Sequence, residues 1–348
     1  MHMADALLSP AVGGAMWGAS VTAIACCSRK VRQELDEKKI PLMGVLGAFL
    51  FAAQMINFTI PATGSSGHLG GGLLLAILLG PYAAFLTIAS VLVVQALFFA
   101  DGGLLALGCN IFNLGFFPAF IAYPLIYKKI VGTDPTQSKI ATGATVAGII
   151  GLQMGAFGVV LETVASGISS LPFSAFVLLM QPIHLAIGVV EGLVTAAVIS
   201  FIYKARPEIL ANAQQSQPIG NFQVRNIVIV FLLLALITGG IVSWCASKKP
   251  DGLEWSIAKV TGKEELVGSK QGLHGTLAAL QEATAFLPDY SFVKPASVNK
   301  ETAITEGGQK KDDRSKLGIS VAGLAGTLIV LIFILLSGFV LKKRSLPV

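Results

Sequence analysis

Gly70-Gly71-Gly72-Leu73-Leu74-Leu75-Ala76-Ile77-Leu78-Leu79-Gly80-Pro81-Tyr82-Ala83-Ala84-Phe85-Leu86 opens an apolar run that continues to Ala100, and its reading decides the topology of the whole chain. Taken as one helix kinked at Pro81, the run crosses a membrane once; taken as two helices joined at Gly80-Pro81, it crosses and returns. Proline disfavours an uninterrupted helix, because it has no N–H to give and its ring meets the carbonyl one turn back. As a helix, ten residues rise only about 15 Å, against a hydrocarbon core of about 30 Å. The first limb of a hairpin must therefore be short, extended by the preceding loop, or sunk below the surface. Glycine-rich backbone at that depth is tolerated where it lines a cavity enclosed by protein, which is what a binding site requires.

The surrounding composition is that of a membrane protein. The 348 residues are 54% hydrophobic and 13% charged, with a mean hydropathy of +0.74, whereas soluble domains carry about 25% charged residues. Apolar stretches lie at about 11–28, 41–58, 70–79, 82–100, 104–127, 140–166, 175–203, 226–246 and 318–341. The fold class expected is an all-α polytopic membrane protein with a seven-helix bundle and two additional C-terminal helices. With the N-terminus outside, the cytoplasmic loops hold Arg29, Lys30, Arg32, Lys38 and Lys39, then Lys128, Lys129, Lys139, Lys204, Arg206 and Arg225, and the tail holds Lys342, Lys343 and Arg344. The short outer connections hold no Lys or Arg, so the positive-inside rule is obeyed. The kinked-helix reading would put Lys128 and Lys129 outside, and the hairpin is preferred. The other basic residues fall in the outer segment 247–317, long enough to be largely exempt. The pI near 9.1 thus has a topological cause and implies no nucleic acid.

Several chemistries are absent. Cys26, Cys27, Cys109 and Cys245 show no CxxC or zinc-like spacing and read as packing residues. The Gly262-Lys263 pair is followed by Glu264 and lacks the upstream glycine of a phosphate-binding loop, and no H-E-x-x-H occurs. The chain is not expected to be an enzyme; any ATP-driven step belongs to separate subunits.

Met1-His2 sets an α-amine, a peptide nitrogen and an imidazole within two residues. Together they can close a five-membered and a six-membered chelate ring around one cation, leaving one corner of a square open. A planar nitrogen site favours Ni(II) or Cu(II). The alternative is an ordinary disordered terminus. No basic region precedes the first apolar run, so it does not read as a cleavable signal, and Met1 is expected to remain the terminus. Three other histidines exist, His68, His184 and His274. The predicted topology puts the loop from Pro61 to His68 on the same face as Met1-His2. By itself His68 is either a ligand or a solvated residue of a glycine-rich turn. Beside Met1-His2, a convergence of nitrogen donors is favoured.

Met1-His2-Met3-Ala4-Asp5-Ala6-Leu7-Leu8-Ser9-Pro10, Gln54-Met55-Ile56-Asn57-Phe58 leading into Gly64-Ser65-Ser66-Gly67-His68-Leu69-Gly70-Gly71, and Asn110-Ile111-Phe112-Asn113 together resemble the CbiM/NikM family. These are the substrate-binding components of energy-coupling-factor transporters for nickel and cobalt. The resemblance covers residues 1–206. Residues 226–348, two helices around an outer segment containing Pro250-Asp251-Gly252-Leu253-Glu254-Trp255, resemble the small CbiN/NikN subunit, joined through a polar linker at 207–225. The resemblance implies a seven-helix component whose N-terminal loop dips into the bundle and holds Ni(II), or alternatively Co(II), through Met1, His2 and His68. It also implies a prokaryotic plasma membrane with the C-terminus cytoplasmic, a membrane coupling subunit, and two cytoplasmic ATP-binding-cassette ATPases. Ala6 stands where the family has glycine.

Polar residues inside apolar segments are functional candidates. Asn57, Gln95, Asn110 and Asn113 are candidates to orient the imidazoles, or else ordinary interhelical amides. Glu162, His184 and Glu191 read as capping or interhelical groups, with a His184/Glu191 coupling pair in an ion-driven secondary transporter as the rival function. Ala11, Ala15, Ala19 and Ala23 repeat every four residues beside Gly14 and Gly18, a ridge suited to close helix packing. In the family such a ridge faces the coupling subunit; packing inside the bundle is the alternative. His274 is expected to face solvent rather than to hand on metal.

Overall fold

The computed structural model describes residues 2–34, 39–214, 224–292 and 308–343. A 3-10 turn at Asp5–Leu7 leads into α1 (Pro10–Glu34). Then come α2 (Lys39–Gln54), a two-residue antiparallel pairing of β1 (Phe58–Thr59) with β2 (Ser66–Gly67), α3 (Gly72–Leu79) and α4 (Pro81–Phe99). A continuous helix α5 (Leu107–Val131) is followed by α6 (Gln137–Ser166), α7 (Phe173–Ala205) and the short α8 (Pro207–Gln214). The C-terminal part contains α9 (Arg225–Gly240), α10 (Gly252–Thr261), α11 (Gly272–Thr284) and α12 (Gly308–Lys343). Among the described residues, α1, α4, α5, α6, α7 and α12 are long and apolar enough to cross a membrane, and α2 and α9 are shorter apolar helices. The chain is an all-α membrane protein, as its apolar segments predict.

The hairpin reading of residues 70–100 holds. Gly80 turns the chain with φ 78° and ψ 163°, a conformation that suits glycine, and Pro81 then begins α4 where its missing N–H has no partner to lose. All eight residues of α3 are buried, and at about 12 Å it is too short to span the bilayer. It is sunk in the bundle, and the loop of residues 55–71 fills the depth above it.

Close packing of the long helices depends on missing side chains. A Cβ on Gly192 of α7 would lie 2.5 Å from the Thr145 Cα of α6, and one on Gly188 would lie 2.9 Å from the Ile149 Cα. In the same way α12 packs on α2, where a Cβ on Gly47 would meet Ile334 at 2.3 Å. The middle of α5, Phe112–Tyr127, is π-wound and contains Pro118 and Pro124; neither proline has an N–H, and the wider winding accommodates both.

The C-terminal half contains helices that its apolar pattern does not announce. Residues 207–214 of the expected linker form α8, while 215–223 lie outside the described residues. The segment 247–317 also contains helices: α10 and α11 lie within it, and α12 begins at Gly308. A capping box starts α10: the Asp251 carboxylate accepts the Leu253 and Glu254 amides at 2.8 and 2.9 Å, and Glu254 accepts the Asp251 amide at 2.8 Å.

Candidate metal centre

At one end of the bundle the N-terminal segment folds down between the α4–α5 connection and the start of α5. Asn110 grips it by both backbone groups of Met3, accepting the amide at 2.8 Å and donating to the carbonyl at 3.3 Å. The Gly103 amide donates to the same carbonyl at 2.9 Å, and the Asp5 carboxylate accepts the Ala106 amide at 2.9 Å. Met3, Leu7 and Leu8 are buried beneath. A Cβ on Gly103 would stand 1.9 Å from the Asp5 carboxylate, so the two segments can meet only with glycine there. Ala6 falls in the right-handed 3-10 turn, where a Cβ meets no backbone strain.

This docking carries His2 to His68. Their rings are parallel within 5° with centroids 4.9 Å apart. His68 is 8% exposed, and with its Nδ1–H donating to the Leu69 carbonyl at 3.1 Å its Nε2 keeps the lone pair. Burial pushes the His68 imidazole down to about 3, so it is neutral at ordinary pH. His2 Nδ1 lies 3.0 Å from Asp101 Oδ1, and Asp101 also accepts from the Tyr290 hydroxyl. Burial alone would raise the Asp101 carboxyl, and the His2 imidazole outweighs it, holding the group well below the usual carboxylate range. The Met1 amine lies outside the described residues. Among the described residues no three His, Cys, Asp or Glu side chains form a metal-holding group.

The loop holding His68 is fixed just after it. Glu191 of α7 accepts the Gly70 amide at 2.8 Å on Oε2 and the Gly71 amide at 3.0 Å on Oε1. Gln54 donates to the Gly70 carbonyl at 3.0 Å, and Gln95 donates to Gln54 Oε1 at 3.0 Å. Glu191 is thus tied directly to the loop that carries His68. His184 donates to the Met180 carbonyl at 2.7 Å and shares a narrow pocket with Gly67, His68 and Asp251.

Of the four amide candidates, Asn110 holds the Met3 backbone instead of an imidazole, and Gln95 donates to the Gln54 side chain. Asn57 contributes its carbonyl, which accepts the Ser247 amide at 2.7 Å. Asn113 does not join the site: it donates to Glu162 Oε2 at 2.7 Å. His274 is also corrected, since its Nε2 lies 2.8 Å from the Leu8 carbonyl, bonding the N-terminal segment. Asp101 and Gln54 escaped sequence reading. Asp101 had a signal, being the one charged residue between Pro81 and Tyr127.

The C-terminal part grips the same loop. The Pro250 carbonyl accepts the Ser66 amide at 2.8 Å, the Lys249 carbonyl accepts the Ser66 hydroxyl at 2.7 Å, and the Trp255 indole donates to the Thr63 carbonyl at 3.0 Å. Further along, Gln281 of α11 donates to the Gly102 carbonyl at 2.7 Å, beside Asp101.

On α1, Ala11 and Ala15 are exposed and Ala19 and Ala23 are half-buried. A Cβ on Gly14 or Gly18 would meet nothing within 4 Å. The N-terminal end of the small-residue ridge thus points away from the bundle, contrary to packing within it.

The family model described as the cobalt uptake substrate-specific transmembrane region (CbiM) matches residues 2–209, and that of the PDGLE domain matches 225–343. The chain is 30% identical over 313 residues to the fused nickel transport protein NikMN of Rhodobacter capsulatus, covering 84% of this chain and 88% of that one. It is 35% identical to the putative fused nickel transport protein NikMN of Archaeoglobus fulgidus, over 60% of this chain and 68% of that one. It is also 30% identical to the cobalt transport protein CbiM of Sorangium cellulosum, over 62% of this chain and 96% of that one. The crystal structure of a truncated transition metal transporter aligns with a TM-score of 0.53 at 30% identity, covering 59% of this chain and 99% of that chain. Seven helices whose N-terminal segment carries His2 to His68, followed by a fused C-terminal part, are therefore those of a CbiM-family metal transport component with a PDGLE domain, and to that family the chain belongs.

Proposed function

We propose that the chain is the substrate-binding component of an ATP-driven energy-coupling-factor importer for Ni(II), with Co(II) as the alternative ion. The observation carrying this reading is the convergence of His2 and His68, parallel and 4.9 Å apart, on a segment locked by Asn110 and Gly103. The ion is held by four nitrogens: the Met1 amine, the His2 peptide nitrogen, the His2 Nδ1 and the His68 imidazole. Such a set favours nickel geometry. Loading exchanges the Asp101 bond of His2 Nδ1 for the metal, so protons leave as the ion is taken. The N-terminus lies outside a prokaryotic plasma membrane and the C-terminus in the cytoplasm. Two cytoplasmic ATP-binding-cassette ATPases drive release through a membrane coupling subunit seated on α1.

Titrating the purified full chain with Ni(II) and with Co(II) tests the reading and ranks the ions. One residue added before Met1, with its amine blocked, is expected to abolish binding, while a C-terminal tag leaves it intact. Full affinity in the extended chain sinks the four-nitrogen site. For the partner, Ala15→Trp is expected to stop ATP-dependent uptake with nickel affinity unchanged; uptake at the native rate would remove α1 as the docking face. The ion-coupled alternative is weakened because both Glu191 oxygens are engaged by Gly70 and Gly71. Collapse of uptake on dissipating the ion gradient, with ATP present, would revive it.

A further inference from the structure

Between the N-terminal segment and the C-terminal part lies an open cavity of about 770 Å³, walled by His2, Asp101, α10 and α11. Eight carboxylates line this space against one lysine, Lys270. Four of them, Asp5, Asp101, Asp251 and Glu254, already accept protein hydrogen bonds. The other four, Glu264, Glu265, Glu282 and Asp289, are exposed. Among the described residues they have no hydrogen-bond or ion-pair partner. Repulsion within the group is felt: burial, then Glu265 and Asp101, raise the Asp289 carboxyl above its usual range. All four belong to the C-terminal part, whereas the imidazoles belong to the first.

A second observation, independent of the acidic side chains, marks where the cavity leads. The His2 side chain on its wall is 6% exposed, and its Nε2 is buried with no hydrogen-bond partner among the described residues. A buried nitrogen left unsatisfied next to a negative cavity fits a cation better than any anion or neutral solute. The volume holds a divalent ion with six waters at about 30 Å³ each. Exposed carboxylates bind such a hydrated ion weakly, and a cleft lined by one sign of charge raises its local concentration.

We propose that this cavity is an antechamber for hydrated divalent cations, in which Glu264, Glu265, Glu282 and Asp289 of the C-terminal part concentrate the ion ahead of His2 and His68. The proposal rests on the reading of the chain as a metal-uptake component and adds a place where the ion is collected before it is chelated. Selectivity stays with the nitrogens; the antechamber sets the speed of capture.

The test is the association rate of Ni(II) with the purified full chain, read by stopped-flow competition with a chromogenic chelator. In the variant E264Q/E265Q/E282Q/D289N the rate is expected to fall about tenfold at low ionic strength, where the Debye length is about 30 Å. At roughly 1 M salt the difference should vanish, and the dissociation rate should be native throughout. As a check that does not remove side chains from four sites, Lys270→Gln is expected to speed association about twofold. An unchanged association rate in the quadruple variant, or a fall equal at both salt concentrations, overturns the antechamber alone. Failure of the native chain to bind either Ni(II) or Co(II) overturns the underlying reading as well.

Discussion

Gly103→Val is expected to abolish high-affinity nickel binding while leaving the helix bundle folded. A Cβ at this position would stand 1.9 Å from the Asp5 carboxylate oxygen and 2.5 Å from the Asp5 backbone nitrogen. Because one of those atoms is backbone, no rotamer of Asp5 relieves the clash, and the N-terminal segment must lift. Lifting breaks the two Asn110 bonds to Met3, the Gly103 bond to Met3 and the Ala106 bond to Asp5. At about 1 kcal/mol each this is roughly 4 kcal/mol, or several hundredfold in affinity. Gly103 lies between α4 and α5, outside both helices, so thermal unfolding of the purified chain should move little. Calorimetric titration with Ni(II) reads the effect, and native affinity in this variant would show that the docked segment does not hold the ion.

The second large effect concerns Glu191. Its two oxygens each take a buried amide immediately after His68, and Gln in its place would turn an NH2 group towards one of those donors. One amide left unpaired costs about 1–3 kcal/mol. If that cost populates a displaced loop, the apparent affinity drops by the fraction of chain still competent, from about fivefold to over a hundredfold. Glu191→Leu removes both acceptors and should lose more. Hydrogen exchange across residues 64–72 should quicken in parallel with the loss of nickel affinity. Under an ion-coupled mechanism the outcome differs: Glu191→Gln would change the dependence of uptake on the ion gradient and leave affinity and loop protection native.

The hairpin at Gly80-Pro81 was legible because proline and the lysine bias of the loops act locally and independently, and both pointed the same way. The meeting of His2 and His68 was legible because histidine is rare in this chain and the predicted topology puts both segments on one face. Asp101 was not, since its meaning depends on where the α4–α5 connection meets a distant terminus. Asn110 and Asn113 look equivalent at a spacing of three, which on an α-helix keeps side chains on neighbouring positions of one face. The helix turns π-wound from Phe112, the faces separate, and Asn113 swings to Glu162 while Asn110 keeps Met3. Gln54 and Glu191 act on the backbone of the His68 loop, and backbone partners leave no trace in side-chain pattern. The helices within 247–317 were hidden by the apolar reading itself. α10 and α11 are short and amphipathic, and a search for bilayer-length runs passes over them.

The bonds from Ser247, Pro250 and Trp255 to the loop at residues 57–66 come from the same polypeptide as the loop. Their formation is a ring closure within one molecule, governed by an effective concentration that the chain carries with it and not by how much of a second protein is present. Each loop carrying His68 thus has its own clamp at a fixed ratio of one to one. Dilution in the membrane leaves that ratio untouched, and one copy's clamp need not search among the loops of its neighbours.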